Sequence, residues 1–434
     1  MRLRLTRNQI IIIAGGLFLI IVLVLIIIFF RRQSAGPVGG VTGEIVVWGV
    51  FDNKRNMKTV IDTYNQKSPG VKVIYIEKDP NTYEQDLVNA LATPNAPDVF
   101  MIHNTWLPKH VNKFLALPAG AMNFEDYRAL YPDTVIQDFA PDGRIYALPL
   151  YLDTLALFYN EEIFDQAGIP LPPRTWEEFQ ALIPKLREVD PRTGRIKKAA
   201  AAIGGSNQSV NRASDLLSLL MLQTGTEMVS GGKIDSLSFN SPSGVEALQF
   251  YTSFADPKNP YFTWDDTFMY SIDGFAAEDV AMMFNYSHQA ALLKQKNPFL
   301  KFAVAAMPQP ASSTSAVNYP NYWGFAVGAK SKSWRAGWNF VLSLAREPAV
   351  ARAYLEATGR PPALRTLINE TLNKPALEVF ARAALTARSW PQIDNVVVEN
   401  SFSEAIKAVL SGRPALNALG EARAKIRRVA RPEQ

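Results

Sequence analysis

The residue types that carry covalent, redox or metal chemistry are scarce in this sequence, and those present are not spaced for it. Among 434 residues there is no cysteine, and the three histidines, His103, His110 and His288, fall in no HExxH or other ligand spacing. Disulfides, thiolate metal sites and cysteine nucleophiles are thereby excluded, while the redox compartment stays open. No GxSxG element and no phosphate-binding glycine loop is present. The acidic pairs Glu161–Glu162, Glu177–Glu178 and Asp265–Asp266 are sequence neighbours. Glycosidic cleavage instead needs two carboxyl groups roughly 5–9.5 Å apart across one bond, and adjacent helix positions do not face the same point. Glu177–Glu178 reads as helix N-terminal charge.

What remains is the chemistry of recognition. The run "DGRIYALPLYLDTLALFYN", Asp142 to Asn160, is apolar and aromatic except for one carboxylate in its middle, Asp153. An unpaired buried charge costs several kcal/mol. Asp153 therefore either has a partner inside the fold or lies where the strand surfaces into a site that wants an acceptor.

The elements that position these residues are legible from periodicity. "EIVVWGV" is a continuous apolar strand, "NMKTVIDTYNQKSPG" a helix with a Ser-Pro-Gly stop, "VKVIYIE" a strand, "NTYEQDLVNALAT" a helix and "PDVFMI" a strand. This βαβαβ rhythm predicts a parallel sheet with helices on both faces and ligand beyond the carboxyl ends of its strands. The segments there read "GVFDN" and "HNTW". Further on, Thr175 to Glu178 forms a capping box and Ser241-Pro242 opens another helix. "VAMMFN", "KFAVAAMP" and "WGFAVGA" read as strands, and Gly359 to Pro362 breaks the final helical region. Trp176, Trp334 and Trp338 sit at amphipathic helix positions and read as core, as does Trp48 at the end of the first strand.

The length predicts two or more domains, and 48% hydrophobic residues describe a folded protein. The net charge of +5 is modest and concentrated near the termini, so no nucleic-acid footprint is expected. "IIIIAGGLFLIIVLVLIIIFF", Ile10 to Phe30, is long enough to span a bilayer core of ~30 Å. It exceeds the ~7–15 residues of a signal-peptide hydrophobic region, and is expected to be an uncleaved transmembrane anchor. Arginines on both sides tip the orientation only weakly towards a cytoplasmic N-terminus. The expected organisation is a stub of residues 1–9, the anchor 10–30, a Gly/Ser/Pro linker 31–42, and an extracellular remainder.

From Glu44 to about Gly412 the sequence resembles the extracellular solute-binding proteins of ABC importers, the family-one sugar-binding type. The resemblance rests on "PDVFMIHNTW", the Asp142–Asn160 run and its continuation to "RTWEEF", "FNSPSGVEALQFY", "AEDVAMMFNYSHQAAL" and the stretch from "YWGFAVGA" to "GRPPA". It implies an α/β, type II periplasmic-binding-protein fold with two discontinuous lobes joined by a hinge. One lobe would comprise 43–150 plus 305–360, the other 151–304 plus 361–434. No catalysis, cofactor or metal is implied. The implied partners are a small-molecule ligand, with a saccharide favoured, permease subunits and the lipid bilayer.

The resemblance puts Asp153 on the first hinge crossing, at the cleft, where an ionised carboxylate accepts from sugar hydroxyls. It also nominates Asp52 and Asn53 in the first loop, Asn104 and Trp106 in the second, Tyr151, Tyr322 and Trp323, and Trp390 in a late loop. Aromatic faces with a few fixed polar groups are the general recipe for such pockets. The sequence departs from the family in two places: no lipid-modified cysteine is present, and "NYSHQA" puts His288 where relatives often have a sugar-stacking tryptophan, with Tyr286 two residues before it. The ligand thus stays open, as does the role: importer receptor, occupancy sensor acting through a partner membrane protein, or receptor for a non-sugar polar solute.

Overall fold

The computed structural model describes residues 40–430. The expected anchor, Ile10 to Phe30, lies outside the described residues. Among the described residues no helix is long and apolar enough to cross a membrane.

The first three predicted strands form at Gly43–Val50, Val71–Lys78 and Val99–His103. They pair in parallel, with Val47 central between Tyr75 and Val99. Ile45, Val47 and Val99–Ile102 are buried, as expected for strands covered on both faces. The sheet is nevertheless mixed. Trp323–Gly328 returns from far along the chain and pairs antiparallel with Val99–His103, setting Trp323 opposite His103. Ala147–Pro149 and Phe114–Leu115 complete that side, both antiparallel to Trp323–Gly328.

A second sheet of five strands runs in the order Phe302–Ala305, Ala156–Asn160, Val280–Asn285, Ile196–Ala202 and Glu188–Val189. Its helices start where the sequence signals them. Thr175 accepts from the Glu178 N–H while Glu178 reaches back to the cap, completing the capping box ahead of Trp176–Leu186. Ser241 caps Pro242–Ser253, accepting from the Gly244 N–H.

The buried apolar residues divide into two clusters, one on each sheet. The chain passes from the first core to the second between Leu152 and Leu155, and back between Tyr319 and Tyr322. It passes over again between Ala387 and Trp390, and the helix Pro375–Ala384 touches both, Phe380 packing in the second core and Ala381 and Ala384 in the first. The first two crossings pair as a two-stranded ribbon, with Asp153 opposite Asn321 and Thr154 opposite Pro320.

These crossings differ from the expected changes at 304/305 and 360/361. Met307, Val317 and Tyr319 pack in the second core, whereas Ala363, Leu364, Leu367 and Ile368 pack in the first. Phe302–Ala305 is an edge strand of the second sheet, and the loop after it stays there, anchored by Gln309 through its exchange of hydrogen bonds with Val317. The Gly-Arg-Pro-Pro break lies against the first core because the Leu152 N–H donates to the Pro361 carbonyl and the Ala363 N–H to that of Leu150.

Candidate functional site

Between the two cores lies a cleft of about 860 Å³. The carboxyl ends of the first-sheet strands feed it, as the topology requires. Val99–His103 delivers His103 and, one turn later, Trp106; its antiparallel neighbour begins at Trp323. Trp106 and Trp323 meet edge to face with ring centres 4.9 Å apart, and Tyr83 stacks behind Trp106 at 5.9 Å. Phe51 adds a further edge against Trp323 at 5.7 Å. In this aromatic wall each ring packs against the next.

The opposite wall comes from the second core. Tyr286 and His288 stand parallel, with an interplanar angle of 10° and ring centres 6.1 Å apart. Tyr286 donates its hydroxyl to Asp215 Oδ2 at 2.7 Å, so that ring is locked from behind. His288 keeps about half of its side chain exposed.

Asp153, on the crossing ribbon, lines the cleft and is 3% exposed. It has partners inside the fold. Its Oδ1 accepts from the Thr154 and Ser287 N–H groups at 2.9 and 3.0 Å, and its Oδ2 from Ser287 Oγ at 2.7 Å. His288 Nδ1 lies 3.5 Å from the same Oδ2. A carboxylate offers about four lone-pair sites, and three are taken by hydrogen bonds. Asp153 thus ties the ribbon to the turn that presents Tyr286 and His288.

Two arginines that the sequence reading passed over face the cleft from opposite sides. Arg360, in the Gly-Arg-Pro-Pro break, lies 4.2 Å above the Tyr151 ring and 3.1 Å from Asp52 Oδ1. Arg212 lies 5.6 Å from the Tyr286 ring centre, donates from Nε to Asp215 at 2.7 Å, and has Glu399 at 3.6 Å. Burial would depress both guanidinium pKa values, but for Arg212 the charges of Asp215 and Glu399, and for Arg360 Tyr151, Tyr354 and Asp52, push them above the usual range. Phe51 and Arg212 hold positive φ values of 66° and 63°, a conformation that costs non-glycine residues about 1–2 kcal/mol. Both line the cleft. The signal for Arg212 was its spacing of three from Asp215; for Arg360 it was an arginine placed in a chain break.

Of the nominated residues, Trp106, Tyr151, Asp153, Tyr286, His288 and Trp323 come together around the cleft. The other five lie elsewhere, each for a visible reason. Asp52 is buried one layer back, bonded to the Tyr354 hydroxyl at 3.0 Å and paired with Arg360. Asn53 caps the helix Lys54–Lys67, its side chain accepting from Asn56. Asn104 and Tyr322 both donate to Asp138 Oδ2, at 3.0 and 2.7 Å, in a buried polar cluster. Trp390 packs in the second core against Phe402 and Phe239. A loop position between strand and helix is shared by ligand contacts, caps and core anchors, and residue type alone does not separate them.

Electrostatics fix which groups are charged. Burial, with Arg212 nearby, depresses His103 to about 3, so its imidazole is neutral in the cleft. Lys109 bridges Glu84 at 2.8 Å and Asp394 at 2.5 Å. Burial works against the Glu84 carboxylate, but bonds from His110 and Lys109 prevail and hold it at about 2. No group of three or more His, Asp or Glu side chains able to hold a metal is found among the described residues. The arrangement offers aromatic rings, neutral donors and acceptors, and charges that are each paired or hydrogen-bonded.

Residues 59–378 match the family described as bacterial extracellular solute-binding protein. A Brucella abortus protein named as a binding protein is 24% identical over 260 residues, which are 56% of this chain and 57% of that relative's length. The sn-glycerol-3-phosphate-binding periplasmic protein of Yersinia pseudotuberculosis is 24% identical, the match covering 85% of this chain and 88% of that relative. Among solved structures, the cyclic alpha-maltosyl-1,6-maltose binding protein of Arthrobacter globiformis superposes with a TM-score of 0.74 at 19% identity, covering 90% of this chain and all of the other. That likeness is one of fold.

Proposed function

The chain belongs to the bacterial extracellular solute-binding protein family, and on that premise we propose that it is a membrane-anchored receptor of an ABC importer that binds a saccharide in the cleft and delivers it to a permease. The observation that carries the reading is the convergence on one cleft of aromatic rings from both cores, Trp106 and Trp323 from the first and Tyr286 from the second, with His288 beside it. Flat rings match the C–H-rich faces of sugar rings, and neutral groups such as Asn211 and Asn321 at the same cleft serve hydroxyls.

In this reading the cores are two lobes, 43–152 plus 322–387 and 155–319 plus 390–426, with the Asp153–Asn321 ribbon as hinge. Ligand touching both lobes shifts the population towards the closed form. Ile10 to Phe30 anchors the chain with residues 1–9 cytoplasmic and the lobes outside, so the receptor works at high effective concentration near its permease. Relatives' names mention both saccharides and sn-glycerol 3-phosphate. The aromatic lining favours the saccharide.

Thermal unfolding of the full chain in detergent against a panel of mono- and oligosaccharides tests this. A solute at 100 times its dissociation constant adds ~2.7 kcal/mol, which raises the unfolding temperature measurably. A shift with one saccharide class is expected. A folded protein that shifts with none removes the saccharide assignment.

A further inference from the structure

Among the described residues lining the cleft the cations are Lys109, Arg212 and Arg360, and none of them is free. Lys109 holds Glu84 and Asp394, Arg212 holds Asp215 and Glu399, and Arg360 lies against Asp52. Asp153 adds a further carboxylate at the cleft wall. The surrounding carboxylates thus outnumber the cations two to one.

Among the described residues, two helix N-termini that reach the cleft already carry carboxylates. The helix Asn395–Leu410 points its N-terminus at the cleft, where Asn395, Val396 and Glu399 line the wall. Such a terminus ordinarily attracts anions through its free N–H groups. Here Asp394 Oδ1 already accepts from the Val396 and Val397 N–H groups at 3.0 and 3.2 Å. The helix Tyr83–Leu91, whose first turn also reaches the cleft, carries Glu84 there. His103 supplies no positive charge either, since burial keeps it neutral.

We propose that this cleft discriminates against anions: the carboxylates Asp52, Asp215, Asp394 and Glu399 saturate its cations, so that a phosphorylated or carboxylated solute is rejected while its uncharged counterpart is accepted. This rests on the reading of the cleft as the solute site and sharpens it. Arg212 and Arg360 act as polar, ring-stacked donors of fixed orientation rather than as anion clamps. An entering phosphate or carboxylate would have to displace a buried carboxylate or sit beside it, and like charges juxtaposed in an interface cost several kcal/mol.

The test is calorimetric titration of the full chain in detergent with two panels. The uncharged panel is maltotriose, mannobiose, galactobiose and trehalose; the anionic panel is trehalose 6-phosphate, digalacturonate and sn-glycerol 3-phosphate. Tightest binding is expected from an uncharged solute, with anionic members weaker by about 100-fold or more. Glu399→Gln, which removes one of the two counter-charges of Arg212 and leaves Asp215, is expected to narrow that ratio by about tenfold. An anion that binds as tightly as any uncharged solute, and is lost in Trp323→Ala, overturns the inference and leaves the solute-binding reading standing. A ratio unmoved by Glu399→Gln and by Asp394→Asn overturns the assignment of selectivity to these carboxylates. Silence from every member of both panels, on a folded protein, overturns the reading itself and the inference with it.

Discussion

The indole Nε1 of Trp106 donates to the side-chain oxygen of Asn395 at 3.2 Å, joining a loop of the first core to the first residue of a helix in the second. One turn further on, Lys109 reaches the N-cap of the same helix, Asp394. Together they bridge the mouth of the cleft.

This bridge predicts a cost of opening. Asn395→Ala removes one hydrogen bond, worth about 0.5–1.5 kcal/mol net, and Lys109→Met removes a charged one. If bound and closed forms are linked, each variant should weaken solute affinity by roughly 2- to 20-fold. Radius of gyration from small-angle scattering of the free protein should rise in the double variant. An unchanged radius and affinity would show that the bridge has no part in closure.

Trp323 and Trp390 should separate binding from stability. Trp323 lines the cleft, and Trp323→Ala is expected to abolish measurable binding with a modest loss of stability. Trp390 is buried in the second core, so Trp390→Ala should cost about 3–5 kcal/mol of stability. At temperatures where that variant stays folded its affinity should remain within a few-fold. Equal losses of affinity in both would remove the distinction.

The Arg360–Asp52 pair should respond asymmetrically. Arg360→Met leaves Asp52, which is 1% exposed, without its counter-charge, and such losses run to about 3–5 kcal/mol. Adding Asp52→Asn removes the stranded charge and should recover about half of the loss. Urea unfolding of the single and double variants reads this directly; a double variant less stable than Arg360→Met would contradict it.

Asp138 gives a pH prediction with a definite sign. Burial pushes its carboxyl up to about 6, against the lowering effect of bonds from Ser389, Tyr322 and Asn104. Its folded pKa thus exceeds its unfolded one. Its contribution to stability is full below pH ~4 and is lost as pH rises through about 6, to an extent on the order of 3 kcal/mol. The difference in stability between wild type and Asp138→Asn should therefore shift in favour of the variant between pH 4 and 7. Glu84, held at about 2, works in the opposite direction at lower pH, and the comparison with Asp138→Asn cancels it.

The first sheet was legible because its strands are continuous apolar runs separated by helices of clear period, so Gly43–His103 follows the expected pattern closely. The antiparallel return of Trp323–Gly328 was not, since periodicity does not say which sheet a distant strand joins. The crossings were misplaced for the same reason: Met307–Tyr319 and Ala363–Ile368 carry no pattern that names their core. In the candidate site, the aromatic residues Trp106, Trp323 and Tyr286 line the cleft. The polar loop residues Asn53, Asn104 and Asp52 do not, because they spend their hydrogen bonds on caps and buried clusters. Arg212 and Arg360 carried only weak local signals, because counter-charges that hold them at the cleft, Glu399 and Asp52, come from distant parts of the chain.

The most direct test of the central claim is titration calorimetry of the wild-type chain and of Trp106→Ala/Trp323→Ala with the saccharide that most raises the unfolding temperature. Saturable binding to the wild type is expected, with the negative heat-capacity change of buried apolar surface, and none to a folded double variant. Binding that survives loss of both indoles would place the solute outside this cleft.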